Sequence, residues 1–116
     1  MDAHDILNLE KRLADAVADI SKRVDAVAMA RQVKEYDSDR RKQLLARYTA
    51  PHLLGDKSAT AADALARADE RYGAELDTLA DNYRRAEKHI AEWDAAHCRM
   101  EAARSALSLA KEQIKL

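Results

Sequence analysis

From Leu65 to Ile114 the chain reads LARADERYGAELDTLADNYRRAEKHIAEWDAAHCRMEAARSALSLAKEQI, and stepping through it in sevens meets an apolar residue every time. The stops are Leu65, Tyr72, Leu79, Ala86, Trp93, Met100, Leu107 and Ile114. A second stripe accompanies them. Leu76, Tyr83 and Ile90 lie four residues after a stop, and Ala96, Ala103 and Ala110 lie three after one. A seven-residue apolar repeat keeps one seam of a helix facing a partner helix along its length. Such a helix, about 74 Å long at 1.5 Å per residue, is not stable alone in water, so the rest of the chain or another copy must cover its seam.

The 116 residues make room for one domain. Of these, 25 are Ala, which bury little surface and report helix preference; with no Phe, one Trp, one Pro and two Gly, the composition points to an all-α chain with a thin seam. A core wide enough to enclose a substrate does not fit this composition, which argues against an enzyme. A formal net charge of −1 supplies no overall field for nucleic acid or anionic membrane, so any such binding must come from a local patch. The first twenty residues carry acids and an amphipathic pattern, with neither a signal peptide nor a membrane span. The single Cys98 cannot form an internal disulfide, and a reducing, cytoplasmic setting is the natural reading.

Upstream, Asp2 serves as an N-cap and Asp5 suits the first-turn amides of a helix that begins at about residue 3. Its stripe reads Ile6, Leu9, Leu13, Val17, Ile20, Val24, Val27, and the three steps from Ile6 to Val17 span eleven residues, a local departure from strict heptads. Residues 37–43 contain nothing apolar. With no Gly or Pro there, and with Leu44, Leu45 and Tyr48 resuming at helical spacing, the helix is expected to run on to about residue 48; a kink or break at Ser38 is the competing reading. Pro51 disfavours helix at Ala50 and Gly55 can take positive φ, so residues 49–58 read as the turn. A second helix then covers about 59–115, starting at Ser58 or Thr60. Gly73 inside it is expected to mark a close helix approach beside Tyr72.

A connection of about ten residues makes an antiparallel hairpin of two long helices the default. Folding about residue 54 places residue 24 near 84 and residue 5 near 103, so the second helix overhangs. Leu107, Leu109, Ile114 and Leu116 then have no partner in the chain and form a candidate interface for a homodimer or another protein. Tyr36 and Tyr48, beside the charged stretch and the turn, are further candidates for an exposed protein contact.

Asp94, His97, Cys98 and Glu101 crowd one helical turn and are metal-ligand types, but the opposing stretch Lys11-Arg12-Leu13-Ala14 offers no ligand, so no metal or cofactor is expected. Neither a nucleophile elbow nor a glycine-rich phosphate loop is present. Basic residues gather at Arg40, Arg41, Lys42 and Arg47, and at Arg84, Arg85 and Lys88, the latter expected near Lys22 and Arg23. These carry the alternative reading, a nucleic-acid-binding recombination accessory. Interleaved acids at Asp37, Asp39, Asp81 and Glu87 weaken it.

The closing stretch, Ala102-Ala103-Arg104-Ser105-Ala106-Leu107-Ser108-Leu109-Ala110-Lys111-Glu112-Gln113-Ile114-Lys115-Leu116, resembles the C-terminal ends of small helical proteins encoded by bacteriophages and prophages, with an Arg-Ser…Leu-Ser…Lys-Glu pattern. The resemblance covers about 15 residues and implies a phage accessory protein acting in the cytoplasm of an infected bacterium. Such a protein works among recombination functions or inhibits a host defence complex, such as CRISPR, by binding it. The function expected is therefore a non-catalytic coiled-coil module that binds a host or viral protein.

Overall fold

A computed structural model describes residues 2–115, and among them the only regular elements are three helices: α1 (Ala3–Leu54), α2 (Ala59–Ala68) and α3 (Glu70–Lys115). The two long helices, α1 and α3, pack against each other. Contacts divide the chain into two compact units, Met1–Ala28 with Lys88–Leu116, and Met29–Glu87.

Helix α1 starts on a reciprocal cap. Asp2 Oδ1 accepts from the Asp5 N–H at 3.0 Å, and Asp5 Oδ2 accepts from the Asp2 N–H at 3.1 Å, which satisfies two otherwise orphaned donors. The helix is continuous through Ser38, without a break. It also passes the expected end near residue 48 and carries Pro51 within its last turn. A proline there forgoes one intrahelical hydrogen bond, and the helix closes three residues later, at Leu54. The Asp56 N–H donates to Leu53 O at 3.3 Å and the Lys57 N–H to His52 O at 3.1 Å, a Schellman termination. The left-handed residue in it is Asp56, at φ 65°, and not the expected Gly55.

Ser58 caps α2 through its Oγ, which accepts from the Ala61 N–H at 3.2 Å. One extended residue, Asp69, then separates α2 from α3, where the sequence reading runs a single helix. Its N–H closes α2 on Ala66 O, while its Oδ1 accepts from the Arg71 N–H at 2.9 Å and opens α3. An Asp side chain that competes for backbone donors breaks a helix in this way. The break resets the phase of the repeat, so Ala62 and Ala66 are buried while Leu65, expected on the spine, is 43% exposed.

Burial along α1 follows steps of three and four without interruption: Ile6, Leu9, Leu13, Ala16, Ile20 and Arg23, then Val27, Ala30, Lys34, Asp37, Arg41, Leu44 and Tyr48, are all buried or half-buried. The eleven-residue departure disappears, because Ala16 and the aliphatic stem of Arg23 occupy the seam in place of Val17 and Val24. On α3 the expected spine from Tyr72 to Leu107, with its accompanying stripe, is buried or half-buried throughout. Only the terminal stop Ile114 is exposed.

Candidate interaction surfaces

In the unit Met1–Ala28 with Lys88–Leu116, two cross-helix ion pairs set the register, Arg23–Glu92 at 2.8 Å and Asp19–Arg99 at 3.0 Å, and Glu10 lies 3.9 Å from Lys111 in the same register. Arg23 therefore meets Glu92, where folding about residue 54 puts its neighbour near residue 84. The difference arises because α1 runs to Leu54 and α2 follows as a separate element, which moves the turn towards the C-terminus. The expected overhang is thereby removed. Leu107 lies in the intrachain seam, 9% exposed, while Leu109 and Ile114 face outward. Leu116 is outside the described residues. Asp19 accepts from both Arg23 and Arg99, and these guanidinium hydrogen bonds hold its carboxyl below the usual carboxylate range.

The side chains of the turn from Asp94 to Glu101 have separate surroundings. His97 turns its ring edge to Trp93, centroids 4.6 Å apart, and its Nε2 is buried with no hydrogen-bond partner among the described residues. Cys98 is exposed, and Glu101 pairs with Arg104 at 3.1 Å. Among the described residues no three His, Cys, Asp or Glu side chains come together.

In the unit Met29–Glu87, the outer side of α1 carries Met29, Val33 and Tyr36 at successive helical turns, with Met29 68% and Tyr36 48% exposed. One turn further, Arg40 lines a groove of 490 Å3 together with Leu44, Leu79, Gln43, Arg47, Thr78 and Glu75. Arg40 has no ion-pair partner among the described residues, whereas Arg47 reaches Glu75 at 2.9 Å. From the sequence, Tyr36 is a candidate protein contact and Arg40 a member of a basic cluster, while Met29 carries no role. The i, i+4, i+7 spacing of Met29, Val33 and Tyr36 was the signal, hidden because it lies off the main stripe.

Tyr48 is not an outward contact. It is half-buried in the seam, edge-on to Tyr72 with centroids 5.8 Å apart, and its hydroxyl donates to Glu75. That carboxylate holds the phenol above its usual pKa. The Arg47 and Arg71 guanidinium groups lie 5.7 Å from the same ring.

In the same unit Arg40, Arg41 and Lys42 have different surroundings. Arg40 lines the groove just described, Arg41 turns inward to Asp37 at 2.9 Å, and Lys42 lines a different groove of 520 Å3 with Leu45, Leu53 and Asp63. Arg84 pairs with Asp81, and Arg85 is exposed. In the other unit Lys22 is exposed, while Arg23 and Lys88 both face Glu92. Among the described residues no helix is long and apolar enough to cross a membrane.

Neither a scan of protein-family models nor searches of curated proteins and solved structures finds a match to this chain.

Proposed function

We propose that this chain is a non-catalytic helical hairpin of the coiled-coil type that acts by binding another protein, as an accessory factor of a bacteriophage or prophage. The observation that carries the reading is the exposed row of Met29 and Tyr36 leading to Arg40 at a groove lined in part by Leu44 and Leu79. An amphipathic helix with apolar anchors and a carboxylate for Arg40 has the chemistry to fill it. Inhibition of a host defence complex, such as CRISPR, is one way in which such binding acts. The competing nucleic-acid reading needs a concentrated cationic surface, and Arg40, Arg41 and Lys42 face three different surroundings.

Affinity capture from the bacterial host with the wild-type chain, compared with Met29→Asp plus Tyr36→Asp, tests the proposal. A defined partner retained by the wild type and lost by the variant is the expected result. Salt-sensitive binding of labelled single- or double-stranded DNA, abolished by replacing Arg84, Arg85 and Lys88, would replace it with the nucleic-acid reading.

A further inference from the structure

Helix α1 carries a second heptad face besides its buried seam. Leu7, Glu10, Ala14, Val17, Ser21, Val24, Ala28 and Arg31 follow one another at alternating steps of three and four, and all are exposed. Leu7 is 62%, Val17 45% and Val24 46% exposed, on the same helix whose seam turns Leu13, Ala16 and Ile20 inward. A helix with two adjacent heptad seams has the pattern of a member of a larger bundle.

The charges at the ends of this face identify its occupant. Glu10 stands near one end and Arg31 at the other, with Val17 and Val24 placed symmetrically between them about the junction of Ile20 and Ser21. When a second copy of α1 is laid antiparallel on the first about that junction, Glu10 meets the other copy's Arg31 twice, Val17 meets Val24, and Ala14 falls within one residue of Ala28. A parallel pairing would set Glu10 against Glu10. Glu10 keeps only a 3.9 Å contact to Lys111, and Arg31 has no ion-pair partner among the described residues, so both are available. Ala14, Ser21 and Ala28 let two backbones approach closely.

The length of the face agrees. A standard interface removes about 800 Å2 from each partner, and the face from Leu7 to Ala28 is about 32 Å long.

We infer that two copies of this chain form a two-fold dimer through the antiparallel pairing of this second α1 face, with Val17 and Val24 at its centre and Glu10–Arg31 pairs at its ends. The inference rests on the proposed binding module only in its use of outer helix faces. It employs different residues, so a monomeric chain that still captures a partner through Met29 and Tyr36 would overturn the dimer alone.

The test is sedimentation equilibrium of the full-length chain, with circular dichroism to follow folding. The wild type is expected to be a dimer at about 50 µM, and Val17→Asp plus Val24→Asp to weaken it at least about 100-fold at unchanged helicity. Glu10→Arg should weaken the dimer about tenfold, and adding Arg31→Glu should restore it to within about threefold of wild type. A monomeric wild type, a dimer indifferent to the Val17 and Val24 changes, or a charge swap without rescue would each overturn the inference.

Discussion

In Met1–Ala28 with Lys88–Leu116, the α1 seam from Ile6 to Ile20 is apolar and faces an α3 seam containing Ala96, Ala103 and Ala110; in Met29–Glu87, the equivalent α1 positions hold Lys34, Asp37 and Arg41. In the first unit the most deeply buried α3 residues are alanines, Ala96 at 1% and Ala110 at 0%, and ion pairs across the helices fix the register. In the second, aromatic rings take that part: Tyr72 is 7% exposed and meets Tyr48, and the Lys34 ammonium lies 5.4 Å from the centre of the Tyr83 ring. One repeat thus supports two kinds of seam. Small residues permit close backbone approach in one, while polar stems need aromatic faces opposite them in the other.

The largest expected effect follows from that contrast. Tyr72→Ala removes the largest buried side chain of the aromatic seam and should destabilise by about 3 kcal/mol in urea denaturation. Trp93, on the alanine seam, is half-buried and not enclosed, so Trp93→Ala should cost only about 2 kcal/mol. A reversed order would mean that the aromatic layer is not what holds Met29–Glu87 together.

The same contrast explains what could be read in advance. The α3 spine was legible from Tyr72 onward because each of its stops is an apolar residue or Ala on an unbroken helix. On α1 the apolar stripe departs from the seam where Ala16 and Arg23 point inward in place of Val17 and Val24, because hydrophobicity ranks the valines higher while the repeat alone fixes which residues point inward, and Asp37 falls in a stretch with nothing apolar to mark it. The break at Asp69 has a local cause, one carboxylate claiming the Arg71 N–H, that an apolar pattern cannot register. The displaced turn then carried an error into the site, since Leu107 looked free only under the wrong register. Of the proposed contact residues, Tyr36 was placed outward, and Tyr48 was not.

The pH dependence of stability should separate the two units more gently. Asp19 in one and Asp69 in the other are held low by arginine hydrogen bonds, from Arg23 and Arg71 respectively. Their contribution is complete above the unfolded carboxylate value, about pH 3.9, and is lost as pH falls through their lower folded values, because the unfolded chain then binds more protons. Tyr48 has the opposite sign. Its raised pKa keeps the Glu75 contact intact below the unfolded phenol value, about pH 10, and the contribution fades as pH rises from there through the folded value. The denaturation midpoint should therefore fall at both extremes, and Tyr48→Phe should flatten only the alkaline limb. An alkaline limb unchanged in Tyr48→Phe would remove the phenol–carboxylate contact from the account of Met29–Glu87.

The smallest effects concern two backbone positions in Met29–Glu87, a glycine inside a helix and an aspartate in the left-handed region. Gly73 lies in the first turns of α3, and a Cβ built on it meets nothing within 4 Å, so it does not mark the close helix approach expected from the sequence. Its cost is then only conformational, and Gly73→Ala should stabilise by about 0.5–1 kcal/mol, chiefly by restricting the unfolded chain. Asp56 holds φ 65° at the end of α1, in the left-handed region where a side chain is strained and glycine is not. Asp56→Gly should also stabilise, by a few tenths of a kcal/mol, since relief of that strain is partly offset by the greater freedom of glycine when unfolded. The two gains should add, because the substitutions act on different backbone turns. A loss of stability in Gly73→Ala would instead show that the start of α3 needs its freedom, making the Asp69 break a working joint between α2 and α3.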